Sequence, residues 1–350
     1  MKTIKFKITL LLLIVPLTII AGEDKGKYKK EKKISKAYIV NPDAALNVNN
    51  KYGNIFVTTW NENKTVIDVA ITVSGNKESN VDKRLNSIDV AIEATKNAVQ
   101  ANTKIGSFNG NNTSMEINYT IKIPKNGSID LNNIYGRIAV GKIYGKATLR
   151  CQYGNLDIEE LNSTNNTISI QYCDNSKARY IKTGSMKAQY SDVWIERAEN
   201  FEVKSEYSEI KIGTITELNY NSDYGDVTIG KSARIIGKST YSDLRVEKVE
   251  ELLHVAIEYG DIKMALDKSV KNVSINSSYS DVTLVYMHDS KFNFELLTEY
   301  SNSSGDKGDF KYTTIHDKDF NSHHIGQYGG NSNNKIYIKS TYGDIKWVKI

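Results

Sequence analysis

"STYSDLRVEKVEELLHVAIEYGDIKMALDKSVKNVSINSSYSDVTLVY", residues 239–286, repeats a tyrosine, a small residue and an acid at Tyr241, Tyr259 and Tyr279. Each triplet is followed by apolar residues two apart, Leu244 and Val246 in the first copy and Ile262 and Met264 in the second. Outward from this stretch the same unit recurs as "KYGNIFV" at Tyr52, "IYGRIAV" at Tyr135, "QYGNLDI" at Tyr153, "QYCDNSK" at Tyr172, "QYSDVWI" at Tyr190, "EYSEIKI" at Tyr207, "DYGDVTI" at Tyr224, "EYSNSSG" at Tyr300 and "TYGDIKW" at Tyr342. From Tyr135 to Tyr300 the spacings are 18, 19, 18, 17, 17, 17, 18, 20 and 21 residues. A short period held over ten copies is the signature of a solenoid, in which each unit buries its apolar face only against its neighbours.

Before each tyrosine, positions minus six, minus four and minus two are apolar or small and the intervening ones polar, a period of two that predicts a strand. By that alternation the tyrosine has inward parity. The Gly or Ser and the Asp or Asn after it are turn residues, and the apolar pair beyond predicts a second strand. A third turn of roughly five residues then returns the chain to the next coil. The expected fold is all-β, a parallel β-helix-like solenoid of 17–21-residue coils with Tyr-Gly/Ser-Asp corners and a tyrosine ladder at the edge of the core. At about 4.8 Å per coil, ten copies predict a rod on the order of 50 Å.

The expected organisation is a secretory leader over 1–21, a basic solvated tail over 22–37 and a first coil over 38–60. An antiparallel β cap or insertion follows over 61–128, with strands at 66–73, 88–94 and 115–123 and a short helix near 82–86. Regular solenoid fills 129–304, an irregular excursion 305–334 and a terminal coil 335–350. The leader reading rests on Lys2, Lys5 and Lys7, the apolar run from Ile8 to Ile20 and the small Ala21 and Gly22, a run too short for a comfortable membrane span. No cysteine stands near that cut to receive a lipid, and no transmembrane segment is expected in the mature chain.

Removing three of 46 basic residues leaves 43 against 41 acids, a balance that gives no argument for nucleic acid as partner. Cys151 and Cys173 fall about three residues out of line on adjacent coils, beyond disulfide reach unless a corner folds them together. They read as two small side chains.

The leader, the opening "YIVNPDAALNVNNKYGNIFVTTW", the strand "INYTIKIPKNGSIDLNNIYGRIAV", the Tyr-Gly-Asp coils and the closing "GGNSNNKIYIKSTYGDIKW" together resemble the secreted putative-adhesin β-strand-repeat family, a domain of unknown function frequent in Bacteroidota. The resemblance spans about Ile39 to Ile350. It implies a β-solenoid and an envelope location: periplasm, outer-membrane surface or the extracellular side.

Candidate chemistry is confined to ladders. Seven consecutive copies carry an acid two places after the tyrosine: Asp174, Asp192, Glu209, Asp226, Asp243, Asp261 and Asp281. Carboxylates about 4.8 Å apart repel by roughly 1 kcal/mol per pair even at the dielectric of water, so the row must be wet, hydrogen-bonded or neutralised by cations. Calcium is the cation such oxygen ligands would take, and no other cofactor is implied. The glycine-rich nonapeptide of calcium-binding solenoids is absent, so acids that hydrogen-bond turn amides are the favoured reading. Trp194, outward by parity, is a candidate for stacking on a sugar, set against an ordinary surface aromatic. His316, His323 and His324 match no compact metal-ligand spacing, and no metal residues are assigned.

Catalysis needs carboxylates in unlike surroundings, which a monotonous ladder does not provide, so no catalytic residue is assigned. The expected function is a non-enzymatic adhesin or cell-envelope scaffold that binds glycan or a surface protein. The alternatives are a polysaccharide-degrading enzyme on a β-helix and a periplasmic sensor or regulatory partner.

Overall fold

The structure is a computed structural model that describes residues 26–110 and 112–350; the leader expected over 1–21 lies outside the described residues. The chain enters through β1 (Tyr28–Ile39) and makes its first coil with β2 (Ala45–Lys51) and β3 (Ile55–Trp60). The insertion follows as β4 (Lys64–Gly75), α1 (Glu78–Asn86), β5 (Ile88–Ala94), β6 (Ala98–Ile105) and β7 (Thr113–Pro124). Coils then succeed one another through β8 (Ile129–Ile134), β9 (Arg137–Ile143), β10 (Ala147–Gln152), β11 (Asn155–Leu161) and β12 (Asn166–Gln171). In the centre each coil is one long bent strand: β13 (Ser176–Gln189), β14 (Asp192–Glu206), β15 (Glu209–Asp223), β16 (Val227–Thr240) and β17 (Leu244–Glu258). The last third comprises β18 (Ile262–Leu266), β19 (Asn272–Ser278), β20 (Val282–Tyr286), β21 (Phe292–Glu299), β22 (Ser303–Gly305), β23 (Lys311–Lys318), β24 (Asn321–Tyr328), β25 (Lys335–Thr341) and β26 (Ile345–Lys349).

Two sheets result, joined at the corners. The leading sheet, whose strands run into the tyrosines, has the order β5, β6, β2, β8, β10, β12, the second halves of β13 to β17, β19, β25, β21, β24, β23. The trailing sheet runs β1, β4, β7, β3, β9, β11, the first halves of β13 to β17, β18, β20, β26, β22. Stacking is parallel and in register along the coils, so each coil position forms a column. Antiparallel pairs are confined to the two ends.

The inner faces of the two sheets form a single apolar core that runs the length of the molecule. In the Tyr241 coil Val227, Ile229, Ser232, Ile235 and Ser239 point inward, none more than 3% exposed. The neighbouring Gly237 breaks the column of branched residues because Tyr220 of the preceding coil fills its place. A Cβ on Gly237 would stand 2.2 Å from the Tyr220 ring, whose hydroxyl meets Ser239 Oγ at 3.1 Å. A large and a small side chain in adjacent coils thus keep the core at constant volume.

Several sequence expectations need correction. The solvated tail expected over 22–37 becomes, from Tyr28, an edge strand paired antiparallel with β4 over its full length. Its lysines, Lys29, Lys30, Lys32, Lys33 and Lys36, suit a strand whose other edge must resist pairing with further chains. The expected third turn is absent from the central coils, where β13 to β17 bend from one sheet into the other without a break. The excursion over 305–334 is regular in its second part, a β23–β24 hairpin laid antiparallel on β21. The coil over 335–350 is not the terminal layer. β25 lies between β19 and β21, and β26 between β20 and β22, so the closing coil is inserted one layer in from the end.

Candidate functional site

At eleven of the twelve corners the tyrosine N–H continues the ladder by donating to the carbonyl that precedes the next tyrosine in the stack, as Tyr224 does to Thr240 at 3.0 Å, and at the last Tyr300 donates to the Phe320 carbonyl at 2.9 Å. The chain then turns through the tyrosine itself, and all twelve corner tyrosines sit in the left-handed region with φ between 49° and 63°. That conformation reverses the expected parity. The ring leaves the core edge and stands outside the corner, 42–49% exposed from Tyr135 to Tyr342.

A bulky L-residue at positive φ costs roughly 1–2 kcal/mol. Here the rings stack with centroids 4.7–5.1 Å apart and planes within 16° of parallel, from Tyr52 through Tyr279 and then Tyr342 and Tyr300. Phe320 closes the row at 4.7 Å from Tyr300. An aromatic pair contributes about 0.5–1.5 kcal/mol and is shared by two rings, so a ring inside the row offsets much of its backbone strain and an isolated one offsets none. The ladder is therefore cooperative, and at the coil spacing of about 4.8 Å it is on the order of 60 Å long.

From Tyr207 onward the residue after the tyrosine alternates along the stack between Ser and Gly, after Gly53, Gly136, Gly154, Cys173 and Ser191 in the earlier coils. Ser242 Oγ accepts the Gly225 N–H at 2.9 Å and donates to its own coil's Thr240 carbonyl at 3.0 Å; Ser191, Ser208 and Ser280 repeat the pattern. Gly225 has no room for a side chain, since a Cβ there would lie 2.2 Å from the Ser208 carbonyl oxygen.

The seven acids do form a column beside the rings, and it divides in two. Oδ1 of Asp226, Asp243, Asp261 and Asp281 accepts the backbone N–H of the acid in the next coil, at 3.2, 2.9, 3.0 and 2.8 Å, the last from Asp344. The amide held belongs to the neighbouring coil, not to the acid's own turn. Glu209 is paired with Lys211 at 2.9 Å, and Arg245 bridges Asp226 and Asp243 at 3.3 and 2.8 Å. These bases come from a second outward column, Trp194, Lys211, Thr228, Arg245 and Lys263 two residues after their acids and Lys177 three after Asp174. Sequence reasoning missed that column, although the residue two after each acid was there to be read. Asp174 and Asp192 make no side-chain hydrogen bond among the described residues. Among those residues, too, no three His, Cys, Asp or Glu side chains converge into a metal shell.

On the other flank, the residues before Tyr153 to Tyr259 form a polar column: Gln152 donates to Gln171 at 3.0 Å and Gln189 to Glu206 at 2.7 Å. Partial burial between rings, then the neighbouring tyrosines and Glu258, push the Tyr259 hydroxyl above its ordinary value; Tyr342 is raised in the same way beside Glu299.

Trp194 is 59% exposed and stands between two open, shallow grooves on the trailing sheet. The larger, about 480 Å³, is lined by Arg137, Asp157, Lys177, Asp192 and Glu209. The three histidines belong to the β23–β24 hairpin, and their carboxylate contacts are separate: His323 Nε2 lies 2.9 Å from Glu295 and His324 Nε2 2.7 Å from Asp317. Cys151 and Cys173 are buried free thiols that the corner does bring together, Cys173 Sγ lying 3.3 Å from the Cys151 carbonyl oxygen. The adjacent thiol and burial both push Cys151 up, which keeps it protonated.

The Toastrack DUF4097 family matches residues 44–347, and the chain belongs to it. No curated protein matches the chain. Among solved structures, a putative adhesin from Parabacteroides merdae is similar at 8% identity, covering 91% of this chain and 96% of its own, with a TM-score of 0.34. A putative adhesin from Parabacteroides distasonis is similar at 9% identity, with coverages of 91% and 97% and a TM-score of 0.29. One from Bacteroides fragilis shares 14% identity, with coverages of 91% and 97% and a TM-score of 0.22.

Proposed function

We propose that this Toastrack DUF4097 protein is a non-enzymatic, exported binding or scaffold protein of the cell envelope, which holds a glycan or a surface protein along its tyrosine edge. The observation that carries this reading is the continuity of that edge: twelve stacked rings, half-exposed from Tyr135 to Tyr342, flanked through the central coils by a polar column on one side and the acids on the other. A long linear surface with one repeating environment suits an extended partner held at many weak points, where linked contacts multiply affinity. It does not suit turnover, which needs one carboxylate set apart from its neighbours. The grooves beside Trp194 add a place for a sugar ring to lie against the indole.

The test is retention of the protein on immobilised envelope polysaccharides and surface-protein extracts, with the polymer length followed in parallel. The expected result is retention without shortening, weakened about tenfold when Tyr207, Tyr224 and Tyr241 are replaced together by Ser. Shortening of a polymer that disappears in Asp243→Asn would replace this reading by an enzyme. Equal retention of the wild type and the triple variant would remove the tyrosine edge from the account.

A further inference from the structure

The closing coil is out of order. β25 is hydrogen-bonded to β19 on one side and β21 on the other, from Lys335 to Thr341, and β26 joins β20 to β22. Tyr342 stacks at 4.8 Å on Tyr279 and at 4.7 Å on Tyr300, which are successive corner tyrosines in the sequence. The layers carrying those rings must therefore stand apart for this coil to enter between them. We infer that the coil spanning β25 and β26 is an exchangeable element, and that the slot it fills accepts the same coil from a second copy of this chain.

Three further observations carry this. First, the coil is a single arc gripped by its two neighbouring layers and by the turn after β22: Ile336, Ile338, Ser340, Ile345 and Trp347 are each at most 1% exposed, Trp347 is stacked on Phe292 at 5.8 Å, and the Lys349 N–H donates to Asp306 at 2.9 Å. A second copy offers the same slot with the same contacts, so exchange leaves the packing unchanged and differs only at the connection, the condition under which domain swapping occurs at low cost.

Second, the connection to the preceding hairpin contains a pair of glycines, the second of them in open space. Gly329 and Gly330 have φ of 69° and 96°, and no atom lies within 4 Å of where a Gly330 side chain would begin. The six residues from Gly329 to Asn334 span about 20 Å when extended, enough to carry the arc to a neighbour. What holds them back is polar and near the surface: Asn293 Nδ2 to the Ser332 carbonyl at 2.6 Å, and Asn334 Nδ2 to the Lys291 and Lys268 carbonyls at 3.1 and 3.3 Å.

Third, the slot has an acceptable empty state. Tyr279 and Tyr300 are 21 residues apart, only one more than the 20 from Tyr259 to Tyr279, which are stacked neighbours at 5.1 Å. In sequence, then, the coils of Tyr279 and Tyr300 are spaced much as the directly stacked coils of Tyr259 and Tyr279 are. The arc thus leaves a layer that can close behind it, which lowers the barrier to release. A pair of copies joined this way presents two tyrosine edges in one particle.

The test uses the full chain. Unlabelled and heavy-isotope protein are mixed at high concentration, warmed to just below the unfolding transition, cooled, and separated by size with native mass measurement. The expected result is mixed-isotope dimers that persist on dilution, about fivefold more abundant when Gly330 and Asn331 are deleted so that the arc cannot fold back. Absence of mixed dimers, or an unchanged share in a folded deletion variant, overturns the inference. Should that variant fail to fold, hydrogen exchange on the wild type decides: amides of residues 335–349 should exchange together, about tenfold faster than those of β19. Equal protection of the two would show that the coil does not leave its slot.

Discussion

From Tyr172 to Tyr259 the order of coils in space is the order in sequence, each coil one bent strand and each corner one tyrosine. From Tyr279 onward the last coil in sequence lies inside the penultimate one, and the end is closed by an antiparallel hairpin. The two regions use the same corner chemistry. They differ in what completes a layer: in the centre the chain supplies both neighbours of a coil as it proceeds, whereas at the end a layer waits for a segment some forty residues downstream. The centre is therefore built from local contacts, and the end from one late, long-range step.

That contrast can be broken by removing one core side chain in each region. Ile229→Ala in the centre should cost about 2–5 kcal/mol, and Trp347→Ala in the closing coil about 3–5 kcal/mol. Urea unfolding followed by hydrogen exchange should place the effects differently. The central lesion should lower protection on both sides of Ile229, because each coil is held only by its neighbours. The Trp347 lesion should be confined to residues beyond about 270. A Trp347 variant that lowers protection equally through β14 to β16 would contradict the division.

A smaller effect sharpens it by pH, at the far bend where the two regions meet. Burial works against ionisation of Asp267, yet the Ser269 hydroxyl and amide and the Lys248 ammonium overcome it and hold the carboxyl at about 2. A carboxyl depressed in the folded state stabilises it above the unfolded value near 3.9, and that contribution is lost as pH falls from about 4 towards 2. Asp267→Asn should lower the neutral-pH melting temperature and flatten the loss of stability between those two pH values. An unchanged slope would remove this residue from the acid response.

Much of this architecture was legible in the sequence because its cause is periodic. The alternation before Tyr224 and the apolar pair Val227 and Ile229 specify two strands and a corner with no knowledge of the neighbours. What stayed hidden depends on the stack. Alternation gave the tyrosines inward parity, but the turn runs through the tyrosine's own backbone, and a left-handed φ turns the ring outward. The acids were recognisable as a row, whereas their bonding to the next coil's amide and their pairing with Lys211 and Arg245 exist only once coils are in register. The inserted closing coil was invisible for a different reason: a regular repeat says how coils stack but not that the last one must go between its predecessors. The basic stretch at Lys29–Lys36 looked like a tail because lysines on an edge strand and lysines in a tail have the same composition.

The central claim is that the tyrosine edge exists because ring stacking offsets a strained corner, and Tyr224 tests it most directly. Tyr224→Ala removes two ring contacts and keeps a side-chain carbon at positive φ, whereas Tyr224→Gly removes the same contacts and relieves the backbone. Measured by urea unfolding, Ala should be the more destabilising of the two by about 1 kcal/mol. An Ala variant as stable as the Gly variant, or more so, would show that the corner carries no strain for the rings to offset, and the ladder would then need another cause.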